Sequence, residues 1–88
     1  MKSKLTVYDN GNKSWELPNG KFHREDGPAV ECIDGLKSWW INGKRHREDG
    51  PAIEWANGYK EWYLNGREYT EQEYKYEMRS RKLTKLLK

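Results

Sequence analysis

The most reactive side chains in this sequence come as a block that occurs twice. His23-Arg24-Glu25-Asp26-Gly27-Pro28 returns as His46-Arg47-Glu48-Asp49-Gly50-Pro51, 23 positions later. Histidine beside carboxylates suits acid–base or metal chemistry, and paired carboxylates suit glycosidase work. The inventory falls short of each. A zinc site needs three or four ligands, and the chain offers two His and one Cys. The carboxylates fall in turn sequences at repeating positions, where no pocket is implied. Cys32 as a nucleophile would need a base beside it, yet it aligns with Tyr8 and Trp55, a core-filling position. The sequence therefore argues against an enzyme: no catalytic residue, metal site or cofactor is expected. The histidines read as fold-building groups that bond the following turn or pair with an acidic neighbour.

A recurring block needs a recurring scaffold. Cut at its glycines, the chain falls into units at about 10–32, 34–55 and 57–69. Gly20, Gly43 and Gly66 are spaced by 23, and Trp15, Trp39 and Trp62 by 24 and then 23. Unit one carries one extra residue, assigned to Pro18. Regular spacing of this kind marks stacked supersecondary units. Asn10-Gly11, Asn19-Gly20, Asp34-Gly35, Asn42-Gly43, Asn57-Gly58 and Asn65-Gly66 supply hairpin turns. Period-two alternation between them places Trp15 with Leu17, Trp39 with Ile41, and Trp62 with Leu64 on one face, the predicted core. Val30 with Cys32 and Ile53 with Trp55 face one way, so Glu31 and Glu54 are expected in solvent. Pro28 and Pro51 belong at strand starts. The expected fold is mainly β: tandem β-hairpin repeats of about 23 residues forming an antiparallel meander of roughly seven strands, as one domain over 1–88.

The meander closes on a helix over about 71–87. Thr70 and Glu73 form a capping box, with Tyr69 and Tyr74 at the positions of a hydrophobic staple. Acidic residues open the helix and basic ones end it, which suits the helix dipole. Tyr74 and Met78 form one apolar stripe, expected to cap the last hairpin. Tyr76, Leu83 and Leu87, with Leu86 nearby, form another, free for a partner or a second copy.

Mean hydropathy is −1.28, low enough alone to hint at disorder. Five Trp and six Tyr at regular positions argue instead for a folded aromatic core. One Cys excludes an intrachain disulfide and fits a reducing, cytoplasmic setting. No apolar run reaches signal-peptide or membrane-spanning length. The net charge of +3 is unevenly spread. Arg79, Arg81, Lys82, Lys85 and Lys88 sit in the last ten positions without an acidic residue, while residues 1–78 hold 12 basic residues against 14 acidic ones.

Two regions break the repeat and are the binding candidates. Leu36, Trp40, Tyr59 and Tyr63 occupy outward positions, where they form either an aromatic patch for a protein partner or a layer buried under the helix. Arg79, Arg81, Lys82 and Lys85 form a basic helix end. It would serve as a solvated face, a protein contact, a nucleic-acid contact or a membrane-surface contact. Exposed strand edges and the second apolar stripe allow a homodimer.

The unit NGxKxWxxNGKxHREDGPAxE resembles a degenerate MORN repeat. It is more similar still to repeats of the "HREDGPA" type in small proteins of phages and large DNA viruses, matching the blocks at 24–29 and 47–52 within residues 5–76. The third unit departs, with Arg67-Glu68-Tyr69-Thr70 in place of Lys-x-His-Arg. The MORN resemblance implies stacked β-hairpins that act as scaffolds or interaction surfaces, sometimes at lipids. The viral one implies a small host-directed binding protein in the host cytoplasm, such as an inhibitor of a host enzyme or defence complex. Neither carries a functional residue onto this chain.

Overall fold

The computed structural model describes residues 2–86. Nine short strands precede one helix: β1 (Lys4–Val7), β2 (Lys13–Glu16), β3 (Val30–Glu31), β4 (Lys37–Ser38), β5 (Trp40–Ile41), β6 (Lys44–Arg45), β7 (Ile53–Glu54), β8 (Lys60–Leu64), β9 (Arg67–Tyr69) and α1 (Glu71–Leu86). Seven strands form one sheet in the order β1-β2-β3-β4-β7-β8-β9, with β5-β6 as a separate hairpin. Every pairing is antiparallel. The fold is therefore mainly β, a seven-stranded antiparallel meander with a C-terminal helix. The predicted helix end at Leu87, and Lys88, lie outside the described residues.

Register follows from two rows that run across the sheet. On the back face Lys13, Glu31, Lys37, Glu54 and Lys60 stand opposite one another in turn. Alternating charge on directly opposed residues favours this register over a one-residue slip. On the front face the corresponding row is Thr6, Ser14, Val30, Ser38, Ile53 and Glu61. Its small and β-branched members allow close cover from above, and Ser14, Ser38 and Ile53 are buried.

The turns divide into two kinds. Asn42-Gly43 and Asn65-Gly66 have φ of 51° and 79°, and of 53° and 86°. Both central residues are left-handed, which suits the two-residue turn whose twist matches the strands. The turns at 8–11, 17–20, 32–35 and 55–58 are one residue longer. At 32–35, for example, the Gly35 N–H donates to the Cys32 carbonyl at 3.0 Å and the Cys32 N–H to the Leu36 carbonyl at 2.9 Å. Asp34 stays right-handed, its carboxylate taking the Leu36 N–H at 3.1 Å, and only Gly35, at φ 101°, is left-handed. Pro18 puts the first unit's second turn in this longer class.

The core differs from the predicted one. Leu17 and Leu64 are buried as expected, together with Ala29, Ala52 and Ile53. Trp15, Trp39 and Trp62 are only half-buried. The Arg24 and Arg47 guanidinium carbons lie 3.8 Å from the Trp15 and Trp39 ring centroids, so charged side chains roof these rings. Glu31 and Glu54 are likewise not free in solvent. They accept from Arg24 and Arg47 at 3.2 and 3.0 Å.

The helix begins at the predicted capping box. The Glu73 N–H donates to Thr70 Oγ1 at 3.1 Å and the Thr70 N–H to Glu73 Oε1 at 3.0 Å. Tyr74 is buried and Met78 half-buried, whereas Tyr76, Leu83 and Leu86 are exposed. The helix packs on β8 and β9. Tyr74 also reaches the 47–50 loop, so the helix covers the β8 end of the back face. No described helix is long and apolar enough to cross a membrane.

Candidate interaction surface

The repeated block is the device that aligns the surface. The His23 Nδ1 accepts the Asn42 N–H at 3.0 Å, and the His46 Nδ1 accepts the Asn65 N–H at 2.9 Å. With Nδ1 an acceptor, the proton sits on Nε2, which donates to Glu25 at 3.2 Å and to Glu48 at 2.9 Å. Each histidine thus holds a left-handed asparagine belonging to the next hairpin. The same hairpins are tied by Gly43 N–H to the Phe22 carbonyl at 2.9 Å and Gly66 N–H to the Arg45 carbonyl at 2.8 Å.

The arginines lock the loop itself. Arg24 donates through Nε to Asp26 at 2.9 Å, and through one terminal nitrogen to the Pro28 carbonyl and Glu31, both at 3.2 Å. Arg47 repeats this with Asp49, the Pro51 carbonyl and Glu54 at 2.8, 3.0 and 3.0 Å. The fork lies close over the loop glycine: a side-chain carbon at Gly27 would come 3.1 Å from the Arg24 Cζ. No described group of three or more His, Cys, Asp or Glu side chains is placed to hold a metal ion.

Hairpins held in this way bring one side-chain row into line on the front face. Glu16 bridges to Phe22, Trp40 pairs with Arg45, and Tyr63 pairs with Glu68. Phe22 meets Trp40 edge-on at 5.4 Å. The Arg45 guanidinium carbon lies 5.0 Å from the Trp40 centroid and 5.4 Å from that of Tyr63. Each aromatic leans back over the front row. Trp40 Nε1 donates to Ser38 at 2.8 Å, and the Tyr63 hydroxyl donates to Glu61 at 3.2 Å. At the sheet's start, Tyr8 shares a 2.9 Å bond with Ser14. These bonds satisfy the buried serine hydroxyls, which explains polar residues at core positions. Burial, reinforced by the Glu61 and Glu68 carboxylates, pushes the Tyr63 phenol above its usual value.

Of the aromatic candidates, Trp40 and Tyr63 are brought together through Arg45. Leu36 is half-buried and Tyr59 is 60% exposed; they lie a row away, where Tyr59 packs on Trp55 at 5.2 Å. None of the described helix hydrogen bonds reaches this face. Phe22 and Arg45 were missed in the sequence. The signal that would have found them is the position after the basic residue that follows the second turn (Lys21, Lys44 and Arg67), which reads Phe22, Arg45 and then Glu68.

The basic candidates divide. Arg79, Lys82 and Lys85 are exposed. Arg81 is half-buried and bound to Glu77 at 2.8 Å, a bond that raises its pKa. Glu77 and Glu48 line the same cleft as these cations. The β1 edge is open, with Leu5 and Val7 about half exposed.

Compared with protein-family models, curated proteins and solved structures, the chain matches none.

Proposed function

We propose that this chain is a non-catalytic protein-binding module whose contact surface is the front face around Trp40, Arg45 and Tyr63, with Leu36 and Tyr59 beside them. One observation carries the reading. Two half-exposed aromatic rings flank a guanidinium on a face that the helix leaves open. Trp, Tyr and Arg are the residue types that dominate protein interfaces when clustered. Each ring is held by a hydrogen bond to the residue two positions before it, so little side-chain freedom is lost on binding. In the viral setting to which the sequence resemblance points, the partner is a host enzyme or defence complex in the host cytoplasm, and occupancy of its surface would inhibit it. Affinity capture from host lysate, run side by side with the Trp40→Ala/Tyr63→Ala variant, tests this. A specific protein retained by the native chain and lost by the folded variant supports the reading, and equal capture by both rejects it.

A second reading is nucleic-acid binding through the helix end. The exposed Arg79, Lys82 and Lys85 favour it. The carboxylates beside them and the engaged Arg81 count against it. It requires strongly salt-dependent retardation of DNA or RNA that disappears when the three cations become alanine.

A further inference from the structure

Arg45 differs from every other shielded arginine in the chain. Arg24, Arg47 and Arg81 each hold a carboxylate within 3.2 Å. Among the described residues no carboxylate lies within ion-pair distance of Arg45. Its Nε is the one buried side-chain nitrogen or oxygen there without a hydrogen-bond partner. What positions this guanidinium is therefore the pair of rings, 5.0 and 5.4 Å away, and not an internal acceptor. Its terminal nitrogens make no described hydrogen bond and are not among the fully buried atoms, and their donors are unused.

The geometry points to Arg45 as the receptor for a single carboxylate on the protein partner, an aspartate, a glutamate or a chain terminus, flanked by apolar residues that pack on Trp40 and Tyr63. This rests on the front face being the binding surface and specifies what that surface recognises. A guanidinium fixed in place loses little freedom on accepting a carboxylate, and the charge-assisted pair is strong in a site walled by rings. The surroundings limit the partner to one acid. Glu61 and Glu68 stand beside Tyr63, and Glu16 ends the row beyond Phe22. A run of acidic residues would meet these carboxylates on both sides of Arg45. A lone acid between apolar residues meets only Arg45 and the rings.

Panning a display library of random dodecapeptides on the full chain tests this. Enriched peptides are then titrated against labelled protein while the Trp40 indole N–H and Arg45 Nε–H resonances are followed. The proposal expects enriched peptides to share one acidic residue between apolar ones. Changing that residue to its amide should weaken binding about tenfold or more, and Arg45→Gln should do the same to the acidic peptide. Arg45→Lys should recover little, because an ammonium lacks the planar fork. The amide exchange is made in the peptide, so it reads the native chain whatever the variants do to folding. If peptides shift the Trp40 resonance but bind equally as acid and amide, the carboxylate proposal is overturned and the binding face stands. If nothing enriches, or the peptides perturb only other parts of the chain, both are overturned.

Discussion

The Tyr74 hydroxyl donates to the Arg47 carbonyl oxygen across 2.6 Å and accepts the Gly50 N–H at 3.2 Å. One phenol thus fastens the helix to the loop of the preceding block, taking up two backbone groups that would otherwise lack a partner. Tyr74→Phe should destabilise the fold by about 1–2 kcal/mol, and Tyr74→Ala by about 3–5 kcal/mol. Urea denaturation followed by Trp fluorescence measures both.

The same contact predicts an alkaline limit. Burial, with Asp49 and Glu48 adding, pushes the Tyr74 pKa above 10.0, against the opposing Gly50 N–H and Arg47. The folded chain therefore holds this proton more tightly than the unfolded one. Its stabilising contribution is complete below about pH 10 and is lost as pH rises through the folded value. Tyr63 is raised in the same direction and acts in the same window. Urea midpoints should hold up to about pH 10 and fall above it, and by less in Tyr74→Phe.

His23 is 6% exposed and accepts the amide of Asn42, a residue in another hairpin. His23→Ala should leave that amide without its acceptor and destabilise by about 1–3 kcal/mol. Its counterpart His46→Ala should do less, because its bond to Asn65 is solvent-exposed. Chemical denaturation of the two variants under one condition gives the order.

Arg47 stacks on Trp39 and donates to Asp49, the Pro51 carbonyl and Glu54. A lysine keeps the charge but loses the planar stack and the separate Nε donor. Arg47→Lys should therefore destabilise by about 1–2 kcal/mol, and Arg24→Lys by a similar amount. A thermal melt that leaves either variant unchanged would contradict the locking role of the block.

The legibility of the sequence follows from the range of the interactions. The capping box at Thr70 and Glu73 was plain because its partners lie three residues apart. The Asn-Gly and Asp-Gly turns were plain for the same reason, though whether a turn takes the shorter or longer form depended on the strands it joins. The tryptophan core was misread. Period-two alternation shows which face a ring occupies, but not that Arg24, nine positions after Trp15, folds back to roof it. Ser14 and Ser38 are polar residues that are buried in the fold. Their burial depends on Tyr8 and Trp40 closing over them, which only the packed structure displays. At the candidate surface, Trp40 and Tyr63 were legible as departures from the repeat. Arg45 between them was not, because it hides in a string of basic residues and is distinguished only by having no carboxylate.

The front face should carry the binding through Trp40 and Tyr63, while Trp40 also adds packing over Ser38. The most direct measurement is the dissociation constant of the captured partner for the native chain, for Trp40→Ala/Tyr63→Ala and for Arg79→Ala/Lys82→Ala/Lys85→Ala. Loss of two anchors worth about 2 kcal/mol each should weaken binding by about a thousandfold in the first variant. Screened, exposed cations should shift it by no more than about threefold in the second. A first variant that binds like the native chain, with affinity lost in the second, would contradict the account and move the binding site to the helix end.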